Sequence, residues 1–485
     1  MNRISLKTYR FLWLAGVIAC ALLTSCINDD ISTSASDQPT FSTDTVRFGT
    51  LFTESPSPTQ RFKVFNAHDK GMNISRIAFA DDPTGIFRLN VDGISGKEFN
   101  NIEIRENDSI FIFVEATLPE NGRNIPVDVV AHIEFQTNGV TQRLPVKAWG
   151  RDCIRLDKET LFDTDATMSA DKPYLVAGSI TVDEGATLTI AEGAELYFHD
   201  DAYMEIHGSL QVEGSAEKPV TMTGDRFGFV AATIPYELMS GQWRGIRFAP
   251  ESTGNLISQA SIRNSAEGIV LDHVPYTDEL PSLTLINTQV RNTQNYVLHA
   301  IHSSVVAAGC EFTDASSGVV RLEGGTHNFN HCTFANYYLF TALGGPAVQF
   351  THLSESLDPA EEEDASQPYL WAMFSNCIIY GNGSELSHGD LDNTSVTLQR
   401  CLLKSSGSND EHFIDCLWDT DPAYYTVREQ YLFDYRLRPE SPAAAAADPA
   451  WMSPLTPSDR FGTPRDPAAL SLGAYQFVQP DPQQP

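Results

Sequence analysis

The residues best suited to chemistry in this chain are basic side chains in its central and C-terminal parts. β-Elimination of an acidic polysaccharide needs a base, usually Lys or Arg, and a cation such as calcium that neutralises the uronate. The candidate bases are Arg226, Arg244, Arg247, Arg321 and Lys404. No segment places clustered aspartates beside them. With 63 Asp and Glu residues, some carboxylates will fall at the roughly 5 to 10 Å separation of a glycoside hydrolase by chance alone. The sequence therefore predicts no catalytic residue.

Metal and cofactor signals are equally sparse. His327 and His331 are four residues apart, but helical spacing has no meaning in a strand-and-turn region, so we expect turn residues rather than metal ligands. The run from Glu361 to Asp364 lies in a polar segment, Ser354 to Gln367, which we expect to be a solvated loop. A calcium site there is the alternative, because hard cations take carboxylate oxygens. We predict no cofactor, with calcium left open.

The elements that would position these residues are short strands. From about residue 165 the chain alternates apolar and polar residues in short runs broken by glycine, beginning with Ile180 to Ile190. This pattern is typical of a parallel β-helix, in which each coil buries its apolar face against the next. Arg244 and Arg247 flank Gly245-Ile246 on one such strand, so we expect their side chains on opposite faces.

A second pattern gives the register of the later coils. Similar segments begin at positions 260, 288, 310, 332, 377 and 401, so the successive differences in residue number are 28, 22, 22, 45 and 24. We interpret the step of 45 as about two coils that include an insertion near Ser354 to Gln367. This register places four cysteines at one position, where we expect them inside the solenoid as small hydrophobic residues. They are Cys310, Cys332, Cys377 and Cys401.

The same alignment repeats an asparagine four residues after the start of a segment, at Asn264, Asn292 and Asn336. We expect these to form a structural ladder at a turn. Two further cysteines of the mature chain, Cys153 and Cys416, fall outside the cysteine register as predicted here. Whether they form a disulfide is left open, since an exported protein permits one.

The rest of the chain divides by pattern. Residues 43–151 show alternating strands and turn signals such as Asn138-Gly139, which predict a β-sandwich. Residues 152–435 form the predicted β-helix. Residues 436–485 are predicted to be a C-terminal cap and tail that covers the open last coil. The predicted fold class is all-β: an N-terminal immunoglobulin-like β-sandwich, then a right-handed parallel β-helix with a C-terminal cap.

The N-terminus has the three parts of an export signal. Arg3, Lys7 and Arg10 precede an apolar run, residues 11–23, that is too short for a comfortable membrane span. Residues 1–25 are therefore predicted to be a signal peptide, and residues 26–42, rich in Ser, Thr and Asp, a flexible tether. Removing the signal leaves 29 Lys and Arg against 63 Asp and Glu, a net charge near −34. Such a surface excludes nucleic acid as a partner.

Two resemblances indicate the cellular location of the protein. Leu23-Thr24-Ser25-Cys26 resembles the lipobox of bacterial lipoproteins, which implies cleavage before Cys26 and its acylation. Asp29-Asp30 resembles the export signal that carries Bacteroidetes lipoproteins to the cell surface. With the sandwich, the coils and the closing segment, the chain resembles Bacteroidetes right-handed parallel β-helix repeat lipoproteins with an immunoglobulin-like module. The resemblance implies a fold and an outer-membrane location, and it implies no activity.

We therefore expect a non-catalytic outer-membrane lipoprotein, exposed at the cell surface, that acts as a binding or scaffold module. Its partner is a membrane protein complex or a glycan, and the absence of aromatic residues repeated at coil spacing favours protein. Candidate aromatic anchors are Trp243, Trp371, Trp418, Tyr337 and Tyr338. The alternative function is a calcium-dependent polysaccharide lyase or a glycoside hydrolase of the β-helix type.

Overall fold

The computed structural model describes residues 30–82, 84–123, 125–231, 234–351, 370–387 and 394–479. The predicted all-β class is confirmed, since the described residues form strands and only short 3-10 turns, at Tyr236–Leu238, Arg428–Gln430 and Pro449–Trp451. No helix in the described part of the chain is long and apolar enough to cross a membrane. The predicted signal peptide, Cys26 and the acidic run Glu361 to Asp364 lie outside the described residues.

The chain divides into two compact units, with the boundary between Asp152 and Cys153. The first is a sandwich of two five-stranded sheets, which fits an immunoglobulin-like module. Sheet A has the strand order β1 (Thr40–Phe41), β3 (Gln60–Phe65), β8 (Ser109–Ala116), β5 (Phe87–Val91), β6 (Ile94–Gly96). Sheet B has the order β2 (Val46–Phe52), β10 (Val140–Arg151), β9 (Val127–Thr137), β4 (Met72–Phe79), β7 (Glu98–Ile104).

The expectation of a flexible tether is wrong for the described residues of that segment. Thr40–Phe41 is the edge strand β1 and pairs with β3. The ring of Phe41 lies 4.7 Å from that of Phe135 in the sandwich core, and Ile31 forms a bridge with Gly71. One large apolar side chain outweighs the polar composition around it, because burying it stabilises the attachment by about 2 kcal/mol.

The second unit is a parallel β-helix of three sheets, here called C, D and E, which the coils visit in that order; the described residues of the last two coils add no strand to sheet D. Sheet C contains β11 (Ile154–Leu156), β14 (Tyr174–Val176), β17 (Glu195–Phe198), β20 (Val220–Gly224), β25 (Ala260–Arg263), β28 (Gln289–Thr293), β31 (Glu311–Ala315), β34 (Thr333–Asn336), β37 (Ile378–Gly381) and β39 (Leu402–Leu403). Sheet D contains β12 (Thr160–Phe162), β15 (Ile180–Val182), β18 (Tyr203–Ile206), β23 (Gly245–Phe248), β26 (Ile269–Asp272), β29 (Tyr296–Ile301), β32 (Gly318–Glu323) and β35 (Val348–Thr351).

Sheet E contains β13 (Ala166–Met168), β16 (Thr187–Ala191), β19 (Ser209–Glu213), β24 (Asn255–Ser258), β27 (Leu283–Ile286), β30 (Ser304–Ala308), β33 (Gly325–Asn330), β36 (Leu370–Ser375), β38 (Thr394–Gln399) and β40 (Phe413–Ile414). A hairpin of β21 (Phe229–Ala231) and β22 (Ile234–Pro235) leaves the coils between sheets C and D. All pairings within sheets C, D and E are parallel, and their inward residues form one continuous core.

The predicted register of sheet C is correct. Glu311 pairs with Thr333, Thr333 with Ile378, and Ile378 with Leu402, so the four preceding cysteines stack in one buried column. Cys416 extends that column as a fifth member, since Leu402 is bridged to Leu417, and it carries a free thiol. The Cys153–Cys416 disulfide left open by the sequence is therefore not formed in this structure.

The interpretation of the long step from Cys332 to Cys377 as two coils is wrong. β34 pairs directly with β37, so the step is one coil with a long excursion, and β35 at Val348–Thr351 belongs to that same coil. Sequence length alone cannot separate an extra coil from an excursion, because only strand pairing distinguishes them.

The strand register confirms the asparagine column, with Asp314 between Asn292 and Asn336, but the asparagine side chains bond backbone groups rather than each other. The amide of Asn264 donates to the carbonyl oxygens of Glu237 (2.7 Å) and Met239 (2.8 Å). Asn336 donates to the carbonyl of Ala315 at 2.8 Å. Asn264 thus satisfies backbone groups of the irregular segment before β23, in a turn conformation (φ 68°), whereas Asn336 satisfies a carbonyl group of strand β31 in the preceding coil.

The C-terminal segment covers the side of the solenoid, which corrects the expectation that it covers the last coil. Tyr424, Tyr435, Leu437, Ala443, Leu472, Ala474 and Tyr475 form a buried cluster with outward residues of sheet C. The contacts reach Asn287, whose amide donates to the carbonyl of Ser458 at 3.1 Å, several coils from the end. Ala335, Ile378 and Leu402 are apolar outward residues of sheet C, so the tail buries a surface that would otherwise be exposed.

Buried ionisable groups fix this tail. The hydroxyl of Tyr435 donates to the carboxylate of Asp314 at 2.5 Å, and that of Tyr475 to Glu311. Burial raises the pKa of Asp314 to about 6, and the nearby guanidinium of Arg291 acts against that shift. The strands of sheet C from β28 to β39 are thus covered by the protein's own tail, whereas sheets D and E present outward side chains.

Candidate functional site: the outer face of sheet D

Sheet D presents a line of charged side chains because alternate residues of its strands point out of the solenoid. In β29 and β32, Leu298, Ala300, Val320 and Leu322 are fully buried in the core. Their neighbours His299, Ile301, Arg321 and Glu323 point outward. Strand pairing stacks His299 on Arg321 and Ile301 on Glu323.

Glu323 is the centre of this face. Its carboxylate lies 2.7 Å from Nε of Arg321 and 2.8 Å from Nε2 of His299. The side chains are 5%, 15% and 22% exposed for Glu323, Arg321 and His299 respectively. A carboxylate this buried needs such partners, because an unpaired charge in a poorly solvated site is costly.

A second carboxylate, Asp272, has a matching set of partners. Its oxygens bind the guanidinium of Arg247 and lie 2.7 Å from Nδ1 of His273. Asp272 pairs with Ile301, which pairs in turn with Glu323, so the two carboxylates stand in one column two coils apart. Two strand spacings place their Cα atoms about 10 Å apart.

Histidine and tyrosine rings complete the face. The rings of His273 and His302 lie 5.0 Å apart, and burial, followed by His273, lowers the pKa of His302. Tyr296 contacts His299 with ring centres 5.5 Å apart, and its ring lies 5.7 Å from the guanidinium of Arg321. The site can therefore offer paired carboxylates, imidazoles and guanidinium groups to a ligand. Within the described ranges, no three His, Cys, Asp or Glu side chains are grouped to hold a metal ion.

The structure places two of the five candidate bases on this face, three coils apart. Arg247 and Arg321 belong to one outward column, through Val270 and His299. Arg244 precedes β23, and its guanidinium lies 4.9 Å from the ring centre of the outward Tyr203. The expectation that Arg244 and Arg247 face opposite sides is therefore wrong, because Arg244 is not in the strand. Arg226 is exposed beside the hairpin, and Lys404 donates to the carbonyl of Gly383 at 2.8 Å.

Sequence reasoning missed the acidic and imidazole groups of this site. They are Asp272, His273, His299, His302 and Glu323. Their signal was the alternation in Ile269 to Asp272, Leu298 to Ile301 and Val320 to Glu323, which aligns the polar residues once the sheet D register is known. The segments that recur in the sequence lie in sheet C, where the tail covers outward positions of the later strands.

The two histidines that the sequence singled out have structural roles. His331 lies in a one-residue turn (φ 48°), as predicted, and its Nδ1 is 3.1 Å from the carbonyl oxygen of Ser471 in the tail. His327 is not in a turn. It points inward from β33, is fully buried, and burial lowers its pKa to about 4. Its Nε2 pairs with the carbonyl oxygen of Gly324 at 2.9 Å.

Most of the predicted aromatic anchors are also structural. Trp243 is 1% exposed and stacks on Phe198 with ring centres 4.1 Å apart. Tyr338 is buried, and Trp418 packs against Phe413. Trp371 is half-buried in sheet E, where it points outward beside the core residue Leu370. Of these tryptophans, Trp371 is the one whose position on an outer face suits contact with a ligand.

The sandwich contains a separate cavity of about 870 Å³. Phe79, Phe87 and Phe113 are among its lining residues, and two ion pairs border it: Arg76 with Glu98 (3.0 Å) and Arg88 with Glu115 (3.5 Å). Mixed apolar and charged walls are typical of small-ligand sites. Its two other charged lining residues, Asp82 and Lys97, have opposite charges, so the cavity selects no ligand class by net charge.

Comparison with known proteins agrees with the solenoid. Residues 160–266 match the family described as a pectate-lyase-like β-helix domain. Together with the three parallel sheets, this match defines the chain as a parallel β-helix repeat protein. No curated protein matches the sequence.

Two solved structures share limited regions with this chain. One is a family 123 glycoside hydrolase from Clostridium perfringens, 8% identical over 24% of this chain and 26% of that chain, with a TM-score of 0.17. The other is a protein of unknown function from Porphyromonas gingivalis W83, 12% identical over 27% of this chain and 58% of that chain, also with a TM-score of 0.17. The matches thus span only parts of those chains, and similarity this low carries no argument about activity.

Proposed function

We propose that this protein is a lipid-anchored outer-membrane module, exposed at the cell surface, that holds a partner protein without catalysing a reaction. The observation that carries the proposal is the ion-paired outer face of sheet D. Glu323 and Asp272 each bind one arginine and one histidine, so the side chains are held in fixed positions before any partner arrives. A pre-ordered surface loses less conformational entropy on binding.

The composition of the face supports a protein partner. Arginine and tyrosine are enriched in protein interfaces, and this face presents Arg321 beside Tyr296 and, three coils away in the same column, Arg247. A charged surface also sets orientation and the rate of encounter. The position of the lipidation motif at Cys26, ahead of both folded units, supports a role in which the coils are held at a membrane for a partner to bind.

The test is native affinity purification from detergent-solubilised outer membrane, with mass spectrometry of stoichiometric partners. We expect one integral membrane protein to co-purify with the wild type and to be lost with Arg247→Glu plus His273→Ala. Thr284→Ala, which changes an outward residue of sheet E, serves as the control and should retain the partner. A solitary protein, or a partner retained by the sheet D variant, contradicts the proposal.

The anchoring part has its own test. Cys26→Ala should abolish labelling by radioactive palmitate and release the protein from the membrane fraction, and protease added to intact cells should remove the wild-type protein. Full protection from protease would place the protein on the periplasmic leaflet.

One observation favours a second candidate, glycoside hydrolysis. Asp272 and Glu323 stand two coils apart on one face, and the separation of about 10 Å between their Cα atoms is compatible with a pair that inverts at the anomeric carbon. One carboxyl group would protonate the leaving oxygen while the other activates water. A calcium-dependent lyase is the related alternative, with Arg247 or Arg321 as base.

Both catalytic candidates are tested with a broad polysaccharide panel in the presence and absence of calcium. If the protein is a hydrolase, we expect new reducing ends with the wild type and none with Glu323→Gln. If it is a lyase, we expect unsaturated products that form only when calcium is present. An absence of cleavage across the panel would contradict both catalytic candidates.

A further inference from the structure

The outer face of sheet E is almost free of charge. Its central outward column runs through nine strands, from Thr167 in β13 to Thr397 in β38, and none of the nine residues is charged. The adjacent column, from Ala191 to Ile414, contains one charged residue, Glu213, and its members Ala308, Asn330, Ser375 and Gln399 are buried. Both counts refer to the strands that the structure describes.

This lack of charge is specific to the outer face of sheet E, because the chain as a whole is rich in charged residues. One residue in five of the whole sequence is charged, and the net charge is −31. The corresponding central column of sheet D includes Glu205, Arg247 and Arg321. Because inward residues determine whether a coil stacks, outward charges in the central column of sheet E would not disturb the fold. Their absence points to a requirement of that surface.

The polar groups of the central column are open to a ligand. Six of its nine residues carry a hydroxyl or an amide: Thr167, Thr189, Gln211, Thr284, Asn328 and Thr397. Gln211 donates to the carbonyl of Gly254 at 2.6 Å. The side chains of the other five form no hydrogen bond with any described residue. The tail contacts the edge of this sheet through Asn330, whose amide donates to the carbonyl of Trp451.

We propose that the outer face of sheet E binds a neutral, extended polysaccharide that lies across the coils. Hydroxyl and amide groups donate and accept hydrogen bonds, as sugar hydroxyls do. The strands repeat about every 4.8 Å along the solenoid, a spacing similar to the length of one sugar ring in an extended chain. Trp371, outward in β36 between Thr326 and Ser395 of neighbouring coils, offers an aromatic ring to a sugar face.

Charge and composition select this ligand class over others. An acidic polysaccharide would find no cation in the central column and would be repelled by the acidic protein around it. Protein interfaces are enriched in aromatic residues, methionine and arginine and depleted in serine, whereas this face is dominated by Thr, Ser, Asn and Gln. The inference goes beyond the proposed function, which concerns a protein partner on sheet D.

The test is affinity electrophoresis of the full mature protein in gels that contain galactomannan, xyloglucan, hydroxyethyl cellulose or polygalacturonate. We expect at least one neutral polymer to retard the wild type and polygalacturonate to leave it unaffected. Thr284→Glu with Asn328→Glu should weaken the retardation at least tenfold. The matched control, Thr181→Glu with Val270→Glu, places the same charges in the central column of sheet D and should bind as the wild type does.

Other outcomes overturn the inference. They are no retardation by any neutral polymer, equal retardation by polygalacturonate, and equal loss in the two double variants. Loss of a co-purified protein partner by the sheet E variant, with no glycan retention, would make the face a protein interface instead. If the double variant fails to fold, Trp371→Ala replaces it, with an expected loss of several-fold; unchanged retention by that variant would exclude the face.

Discussion

Sheets D and E belong to the same coils and share one core, yet their outer faces have opposite chemistry. Leu298 and Leu322 of sheet D, like Leu285 and Phe329 of sheet E, are fully buried. Outside, sheet D carries cross-coil ion pairs while the central column of sheet E carries none. The fold constrains only the inward positions, so the outward ones are free to be selected for binding. The difference between the faces is therefore the strongest guide to function in this molecule.

The largest expected effect is a difference in stability between a substitution on the outer face of sheet D and one on the outer face of sheet E. Glu323→Ala removes the carboxylate between Arg321 and His299 and leaves a poorly solvated cation without its partner, which should cost about 3 kcal/mol of unfolding free energy. Thr326→Ala, an outward change on sheet E, should cost less than about 1 kcal/mol. Urea denaturation of both variants checks this. Equal, small losses would mean that the sheet D network is loosely held.

A pH effect follows from His327, which points into the core beneath sheet E. Burial lowers its pKa to about 4 from an ordinary 6.5, so the unfolded chain takes a proton that the folded protein does not. The contribution of neutral His327 to the free energy of unfolding is at most about 3 kcal/mol and is complete above pH 6.5. It is lost as the pH falls from 6.5 through 4.

His327→Leu should therefore flatten the dependence of unfolding free energy on pH between 6.5 and 4. Part of the slope will remain, because burial also lowers the pKa of His331. Denaturation curves at several pH values give the comparison with the wild type. An unchanged slope would show that His327 takes up its proton while folded, and hence that the core beneath sheet E is hydrated.

A smaller effect is expected at the edge of the charged face. Arg247 is 49% exposed and Asp272 27% exposed, and exposed ion pairs contribute less than about 1 kcal/mol. Arg247→Ala should lower stability by that amount at low salt and by less at high salt, which screens exposed charges. Urea denaturation at both salt concentrations measures the difference. A loss as large as the one expected for Glu323→Ala would place Arg247 in an equally tight network.

The smallest expected effect concerns sheet E. Thr284→Lys adds one outward charge to a face with solvent above it, so unfolding free energy should change by less than about 0.5 kcal/mol. Thermal denaturation of the variant and of Thr284→Ala checks this. A loss of unfolding free energy several times larger would show that another part of the protein covers this face. The outer face of sheet E would then not be an exposed surface that can be compared with that of sheet D.

The core of the fold could be predicted because its pattern repeats. The cysteine column was found from four residues at matching positions, and the structure confirms both the register and the burial. The alternation within residues 43–151 likewise predicted sandwich strands, among them β8 and β9. In both cases a local period determines which side chains are buried.

The candidate site could not be predicted in the same way. Asp272 and Glu323 are far apart in the sequence, and the intervening coil differs in length from the next, so their shared column appears only when strands are paired. The prediction of two coils between Cys332 and Cys377 was wrong for the same reason. The position of the tail was missed because the apolar residues of sheet C that it covers resemble ordinary strand residues.

The sequence by itself determined the strands, the stacking of coils and the residues of their core, since these depend on periods of two and on the recurrence of similar segments. The tertiary structure alone decided which flank the tail covers, which charges meet across coils, and which face stays uncharged. Those outcomes depend on the lateral register of strands far apart in sequence, because only stacking at about 4.8 Å brings such side chains together.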